Sequence, residues 1–208
     1  MKEKEILATY LPEAMVDPVF AWIVRHQIHL KITRSRVSKL GDYRPPQSRQ
    51  AYHSISINHD LNPYAFFITF VHELAHLLTH KQYGREVQAH GREWKANYSK
   101  LMKPFLEKNV FPADLQRTVY HHLRNIKASS YADAELTRVL MMFDVGKRET
   151  LVEDLKPGDR FSFRDNRKFQ MIGKLRKRYK CIELDNQRIF LFQPLTPVKI
   201  MNGGDGKS

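Results

Sequence analysis

The sequence predicts an α+β protein, helices with a small antiparallel sheet, followed by a compact all-β module. Two observations set this class. Between residues 11 and 126 apolar residues recur at helical spacing in four separate stretches, with two runs of period-two alternation between the first and the second. From residue 150 to 201 helical spacing disappears, and apolar pairs two residues apart take over: Phe161/Phe163, Phe169/Met171, Tyr179/Cys181 and Ile189/Leu191. The division follows: a first domain over residues 1–127, a connector over 128–149, a small basic β-barrel-like module over 150–201, and a glycine-rich disordered tail over 202–208.

The first helix is expected from Leu11 to about Ile28, with Met15, Val16, Phe20, Ile23 and Val24 on its apolar face. Pro18 lies inside it and predicts a break or a restart near Asp17. His29 to Arg36 alternates as a half-buried strand. Gly41-Asp42 and Pro45-Pro46 read as a turn and loop, and Ala51 to Asn58 as another strand with Ile55 and Ile57 on one face. Asn62-Pro63 is a helix start, asparagine as cap and proline in the first turn. The helix it opens, Tyr64 to about Thr79, is apolar on nearly every side, which predicts a core helix. His90 to about Leu106 and Pro112 to about Ile126 predict two more helices, with Pro104 ending or kinking the former. A short element is expected at 136–142 in the connector, and Asp185-Asn186 suits a hairpin turn.

Hydrophobic residues make up 42 % of the 208, enough for a real core. The net charge is +13 and the pI about 9.8, a bias that favours a polyanionic partner such as DNA, single- or double-stranded. Its densest run is Lys174, Arg176, Lys177, Arg178, Tyr179 and Lys180 on an expected hairpin, where the tyrosine offers a ring for base stacking. A second basic group is Lys31, Arg34, Arg36, Lys39, Arg44 and Arg49. Cys181 is the one cysteine, which excludes an intrachain disulfide and a cysteine-based zinc site and suits a reducing compartment. The first residues carry no apolar signal stretch, and no apolar run approaches the roughly 20 residues of a spanning helix. A cytoplasmic protein without a membrane partner is expected.

The chemistry concentrates in His72-Glu73-Leu74-Ala75-His76, an HExxH motif. On a helix the two histidines lie on one face a turn apart, where both imidazoles can bind one ion. Glu73 is rotated by roughly 100° from His72 and suits the base that takes a proton from water at that ion. Two imidazoles and a carboxylate buried in an apolar helix without partners would cost several kcal/mol, and a metal ion supplies the partners. A catalytic zinc needs three protein ligands and an open position. His80 continues the stripe, but its Cα lies about 12 Å along the axis from that of His72, beyond one ion's reach. His90 is favoured as third ligand because a loop containing Gly84 lets it fold back; Glu93, in the following turn, is second. The pair His121-His122 diverges by about 100° and is expected to be two surface imidazoles.

His72-Glu73-Leu74-Ala75-His76 followed by His90-Gly91-Arg92-Glu93-Trp94 resembles the SprT-like (Spartan/SprT) zinc metallopeptidase family. Lys39-Leu40-Gly41-Asp42-Tyr43-Arg44 and Ile55-Ser56-Ile57-Asn58 add to the resemblance, which spans roughly residues 10–125. It implies a zincin-like domain, Zn2+ on His72, His76 and His90, Glu73 as catalytic residue, and a protein substrate, where known one bound to DNA, as in repair of DNA–protein crosslinks. Many members carry a C-terminal cysteine-rich zinc ribbon; here the β-rich segment stands in its place. Two other functions fit the sequence: a non-catalytic zinc- and nucleic-acid-binding protein, and a zinc hydrolase of a non-peptide substrate.

Overall fold

The computed structural model describes residues 2–36, 39–47, 52–126, 133–146 and 149–201. Arg49 and the expected tail lie outside them. The chain divides into two compact units, Met1–Val145 and Gly146–Ser208.

The first unit is built from α1 (Lys2–Ala8), α2 (Glu13–His26), β1 (Ile28–Thr33), β2 (Gly41–Arg44), β3 (His53–Asn58), α3 (Pro63–Tyr83), α4 (Arg92–Glu107), α5 (Ala113–Arg124) and α6 (Ala134–Met141). Helix α1 was not foreseen, and β2 replaces the turn expected at Gly41-Asp42. The sheet runs β1-β3-β2, with β1 parallel and β2 antiparallel to β3. It is therefore mixed, which corrects the expected antiparallel sheet. The reason is burial: β3 holds the fully buried Ile55 and Ile57, so it takes the central slot where both of its edges are paired, and β2 passes to the far edge. Proline breaks neither helix. Pro18 sits early in α2, where it removes only the bond to Ala14, and Pro104 sits in the last turn of α4.

Helix α3 is the core of this unit. Phe66, Phe67, Phe70, Val71, Leu74, Ala75 and Leu77 are fully buried, and it packs on β2, β3 and α4. Its start is capped as the sequence predicts: the Asn62 side chain accepts from the Ala65 N–H at 2.9 Å. The same amide donates to the Leu140 carbonyl (2.9 Å) and to Asp144 Oδ1 (2.6 Å). Helix α6, expected within a connector, is thereby tied to α3, and its Leu136 and Leu140 belong to the same core. Asn62→Ala removes a cap and leaves a buried carbonyl short of a donor. A loss of about 1–3 kcal/mol is expected, read as a melting temperature several degrees below wild type by calorimetry.

The second unit has β4 (Thr150–Leu151), a 3-10 turn at Val152–Asp154, β5 (Arg160–Phe163), β6 (Arg167–Leu175), β7 (Arg178–Glu183), β8 (Ile189–Phe192) and β9 (Pro197–Ile200). The strands form one antiparallel sheet in the order β4-β9-β5-β6-β7-β8. Among the described residues β4 and β8 remain edges, so the sheet is open and the expected barrel does not close. A two-residue β4 offers too short a ladder to seal it. Phe161, Phe169, Met171, Cys181 and Phe192 fill one face, while Ile189 and Leu191 stay exposed. Arg167 clasps the enclosed Glu183 through two bonds of 2.6 and 2.9 Å and lies over the rings of Phe169 and Phe190. Among the described residues no helix is long and apolar enough to cross a membrane.

Candidate metal centre

Helix α3 carries His72 and His76 one turn apart, and the segment after Gly84 brings in His90. The three Nε2 atoms form a near-equilateral triangle: 3.2 Å from His72 to His76, 3.0 Å from His76 to His90 and 3.1 Å from His90 to His72. These cannot all be hydrogen bonds. An imidazole nitrogen either carries a proton or offers its one lone pair, so among three nitrogens at least one pair must clash as two donors or two acceptors. A cation facing three lone pairs resolves the conflict. His72, His76 and His90 would hold such a cation through their Nε2 atoms, a donor set that suits zinc. Among the described residues this is the one group of three or more His, Cys, Asp or Glu side chains whose ligating atoms lie close enough to hold an ion. Glu93, the alternative third ligand, is not part of it.

Electrostatics keeps the lone pairs free. Burial, and then the neighbouring imidazoles of His76 and His90, lower His72 to about 3. Burial, and then His90, lower His76 to about 4. His90 is lowered by burial alone. All three rings are thus neutral near pH 7, the form in which imidazole binds a metal.

His90 is held in a costly backbone conformation, φ +60. A histidine there stores about 1–3 kcal/mol of strain, which the surroundings must hold in place. The next residue, Gly91, caps α4: Lys95 N–H donates to its carbonyl, and its own N–H donates to the Gln88 carbonyl. A Cβ on Gly91 would stand 2.9 Å from that Gln88 oxygen, so a glycine is required for the close approach. Below the triad, the buried Trp94 ring lies 4.7 Å from the rings of His72 and His90 and 5.3 Å from that of His76. Tyr98 stacks beneath Trp94 at 5.1 Å. This aromatic floor was not foreseen; the i, i+4 spacing of Trp94 and Tyr98 on α4 was the available signal.

Glu73 is buried, with 7 % of its surface exposed. Burial first, and then the charge of Asp42, raise its carboxyl to about 7, against the opposing pull of the Tyr43 backbone N–H, Arg36 and Lys39. A carboxylate poised there can both take and return a proton near neutrality. His80, in the last turn of α3, faces the Tyr43 ring at 6.1 Å and stays out of the triad.

The pair at 121–122 departs from expectation. His122 is buried, and its Nδ1 meets Asp133 at 2.8 Å. Asp133 lies eleven residues on, at the start of α6, so α5 turns this imidazole inward and His121 outward.

The C-terminal basic run is split by the sheet. Tyr179 shares a face with the buried Cys181 and packs on the core, with the Lys174 ammonium 5.6 Å from the centre of its ring. Arg178 and Lys180 alternate to the opposite face. Arg176 and Lys177 form the hairpin tip between the paired Leu175 and Arg178, with Arg176 at φ +54. Tyr179 is therefore half-buried, beside Lys174 and on the face opposite Arg178 and Lys180. The other basic group is largely committed: Arg36 bonds Asn58 and Ser56, and Lys39 and Arg44 both pair with Asp42.

A family model described as the SprT-like family matches residues 16–121, just over half of the 208-residue chain. The match covers α3, the triad and the segment that supplies His90. No curated protein and no solved structure matches the chain.

Proposed function

Because the chain belongs to the SprT-like family, we propose that it is a zinc-dependent metallopeptidase with a zincin-like catalytic unit, in which His72, His76 and His90 hold the metal and Glu73 is the catalytic base. The observation that supports this most is the convergence of three neutral imidazole nitrogens within 3.2 Å of one another, on the helix that also carries the buried Glu73. Three imidazoles suit zinc, which is commonly four-coordinate with one position open for catalysis. When bound, zinc supplies Lewis-acid polarisation of a carbonyl and acidifies water to a pKa of about 7. Glu73 accepts the proton of the attacking water at its carboxylate. It then returns that proton to the leaving amine. Trp94 closes the floor of the site and excludes water from behind the imidazoles.

The absence of a fourth protein ligand among the described residues favours this reading over a structural zinc site, which would normally have four. The substrate we propose is protein bound to DNA, as in repair of DNA–protein crosslinks, with the hairpin tip Arg176-Lys177 as a phosphate contact. The test is metal analysis of the purified protein together with digestion of a DNA-binding protein, with and without DNA. One zinc per chain and cleavage stimulated by DNA are expected. Zinc without cleavage would favour the non-catalytic reading, and turnover only of small esters or amides would favour a non-peptide hydrolase.

The hairpin is tested separately. Reversing both charges in Arg176→Glu/Lys177→Glu is expected to weaken DNA binding at least about tenfold at low salt and to flatten its salt dependence. Fluorescence anisotropy across a salt series reads both. An unchanged slope would remove the hairpin as an anchor.

A further inference from the structure

We infer that Gly41 of β2 is a positioning residue for Glu73: the missing side chain at 41 makes room for the carboxylate, and the fastened strand holds that clearance in place. This rests on the reading of Glu73 as the base.

A Cβ on Gly41 would stand 2.7 Å from Glu73 Oε1, 2.8 Å from Glu73 Cγ and 2.7 Å from Thr69 Cγ2. Carbon atoms do not pack this closely, so any side chain at 41 must displace Glu73, Thr69 or the strand. The glycine is not there for backbone freedom. It lies in a regular strand opposite Ile57, and its φ is not among the positive values of this chain. The requirement is steric and comes from α3.

Strand β2 is an edge strand beside α3: it pairs with β3 on one side and packs on the helix that carries Glu73. The clearance at residue 41 thus faces one side chain of that helix.

The strand is fastened on either side of Gly41. Asn58, on the central strand, donates from its N–H to the Leu40 carbonyl (2.9 Å) and from its side-chain amide to the Lys39 carbonyl (3.1 Å). Arg36 bonds the Asn58 side chain at 2.8 Å and the Leu40 carbonyl at 3.3 Å. Asp42 is gripped by Lys39 and Arg44, each at 2.8 Å. Strand β2 therefore cannot easily yield to an added methyl, and the displacement falls on Glu73 and Thr69. A shift of about 1 Å in a reacting group can cost on the order of 100-fold in rate.

The test is Gly41→Ala, measured on zinc-loaded protein with a quenched-fluorescence peptide that the wild type cleaves. The expected result is full zinc content, KM within about twofold of wild type, and kcat reduced roughly 10- to 100-fold. A second readout is independent of turnover. Gly41→Ala lowers the melting temperature of the wild type, and in a Glu73→Ala background, where two of the three clashing atoms are gone, that drop at least halves. If Gly41→Ala fails to fold alone, the Glu73→Ala background restores folding. An unchanged kcat, a loss of zinc, or a melting drop of the same size in both backgrounds would overturn the inference. If the zinc-loaded wild type cleaves no peptide at all, the peptidase reading fails, and the melting comparison alone decides whether residue 41 positions residue 73.

Discussion

Glu73→Gln is expected to lower kcat by about 10³-fold, within the range that general acid–base catalysis contributes, while the zinc content stays at one per chain. The amide is nearly isosteric with the carboxylate, so it fits the space that Gly41 leaves. What it loses is basicity. A loss of 10³ corresponds to about 4 kcal/mol of transition-state stabilisation, more than a single neutral hydrogen bond contributes on net. The metal should be unaffected, because the three ligating nitrogens belong to other residues. Steady-state kinetics and metal analysis on the same preparation read both quantities. Wild-type turnover by this variant would remove Glu73 from the mechanism and leave the triad without a base.

His90→Ala is expected to weaken zinc binding by well over the 10- to 100-fold typical of losing a partner behind the ligands, and to abolish turnover at ordinary zinc concentrations. His72 and His76 alone offer two nitrogens, below the three of a catalytic site. Because residue 90 sits at φ +60, alanine leaves the backbone strain without the bond that holds it. His90→Asn is the companion variant: asparagine tolerates this conformation better but presents no imidazole. Both variants should melt at the same temperature with and without zinc, whereas the wild type gains stability from a bound metal by mass action. Retention of tight zinc binding by both would mean that the third ligand lies elsewhere.

These two residues also mark how far the sequence could be read. The spacing of His72 and His76 needs only helix geometry, and the start of their helix is a local signal, Asn62-Pro63, which the cap bond to Ala65 matches. His90 was harder. It needed a loop long enough to return, and the signal that the chain does return is His90-Gly91, one residue at positive φ and one allowing the 2.9 Å approach to Gln88. Most features that depart from these expectations are set by distant partners. Gly41-Asp42 has the composition of a turn, yet pairing with β3 draws it into a strand. His122 looks like half of an exposed pair until Asp133 meets it. Pro18 looks like a helix break, but it falls where only one helical bond is lost and where Met15 and Val19 are fully buried against the core. In the second unit the alternating pattern identified strands correctly but not closure, which depends on whether the first and last meet; β4 and β8 do not pair. The same alternation explains why Tyr179 turns to the core while Arg178 and Lys180 turn away.

Trp94 and Tyr98 are 1 % and 2 % exposed; the Trp94 ring lies against all three imidazoles, and Tyr98 backs Trp94.

X-ray absorption at the zinc edge of the loaded protein tests the three-imidazole site most directly. The expected spectrum has three imidazole nitrogens at about 2.0–2.1 Å and one further light-atom ligand, and His90→Asn, forced to load at zinc far above the level that saturates the wild type, shows one imidazole fewer. A spectrum with two imidazoles or fewer, or one left unchanged by that substitution, would contradict the site described here.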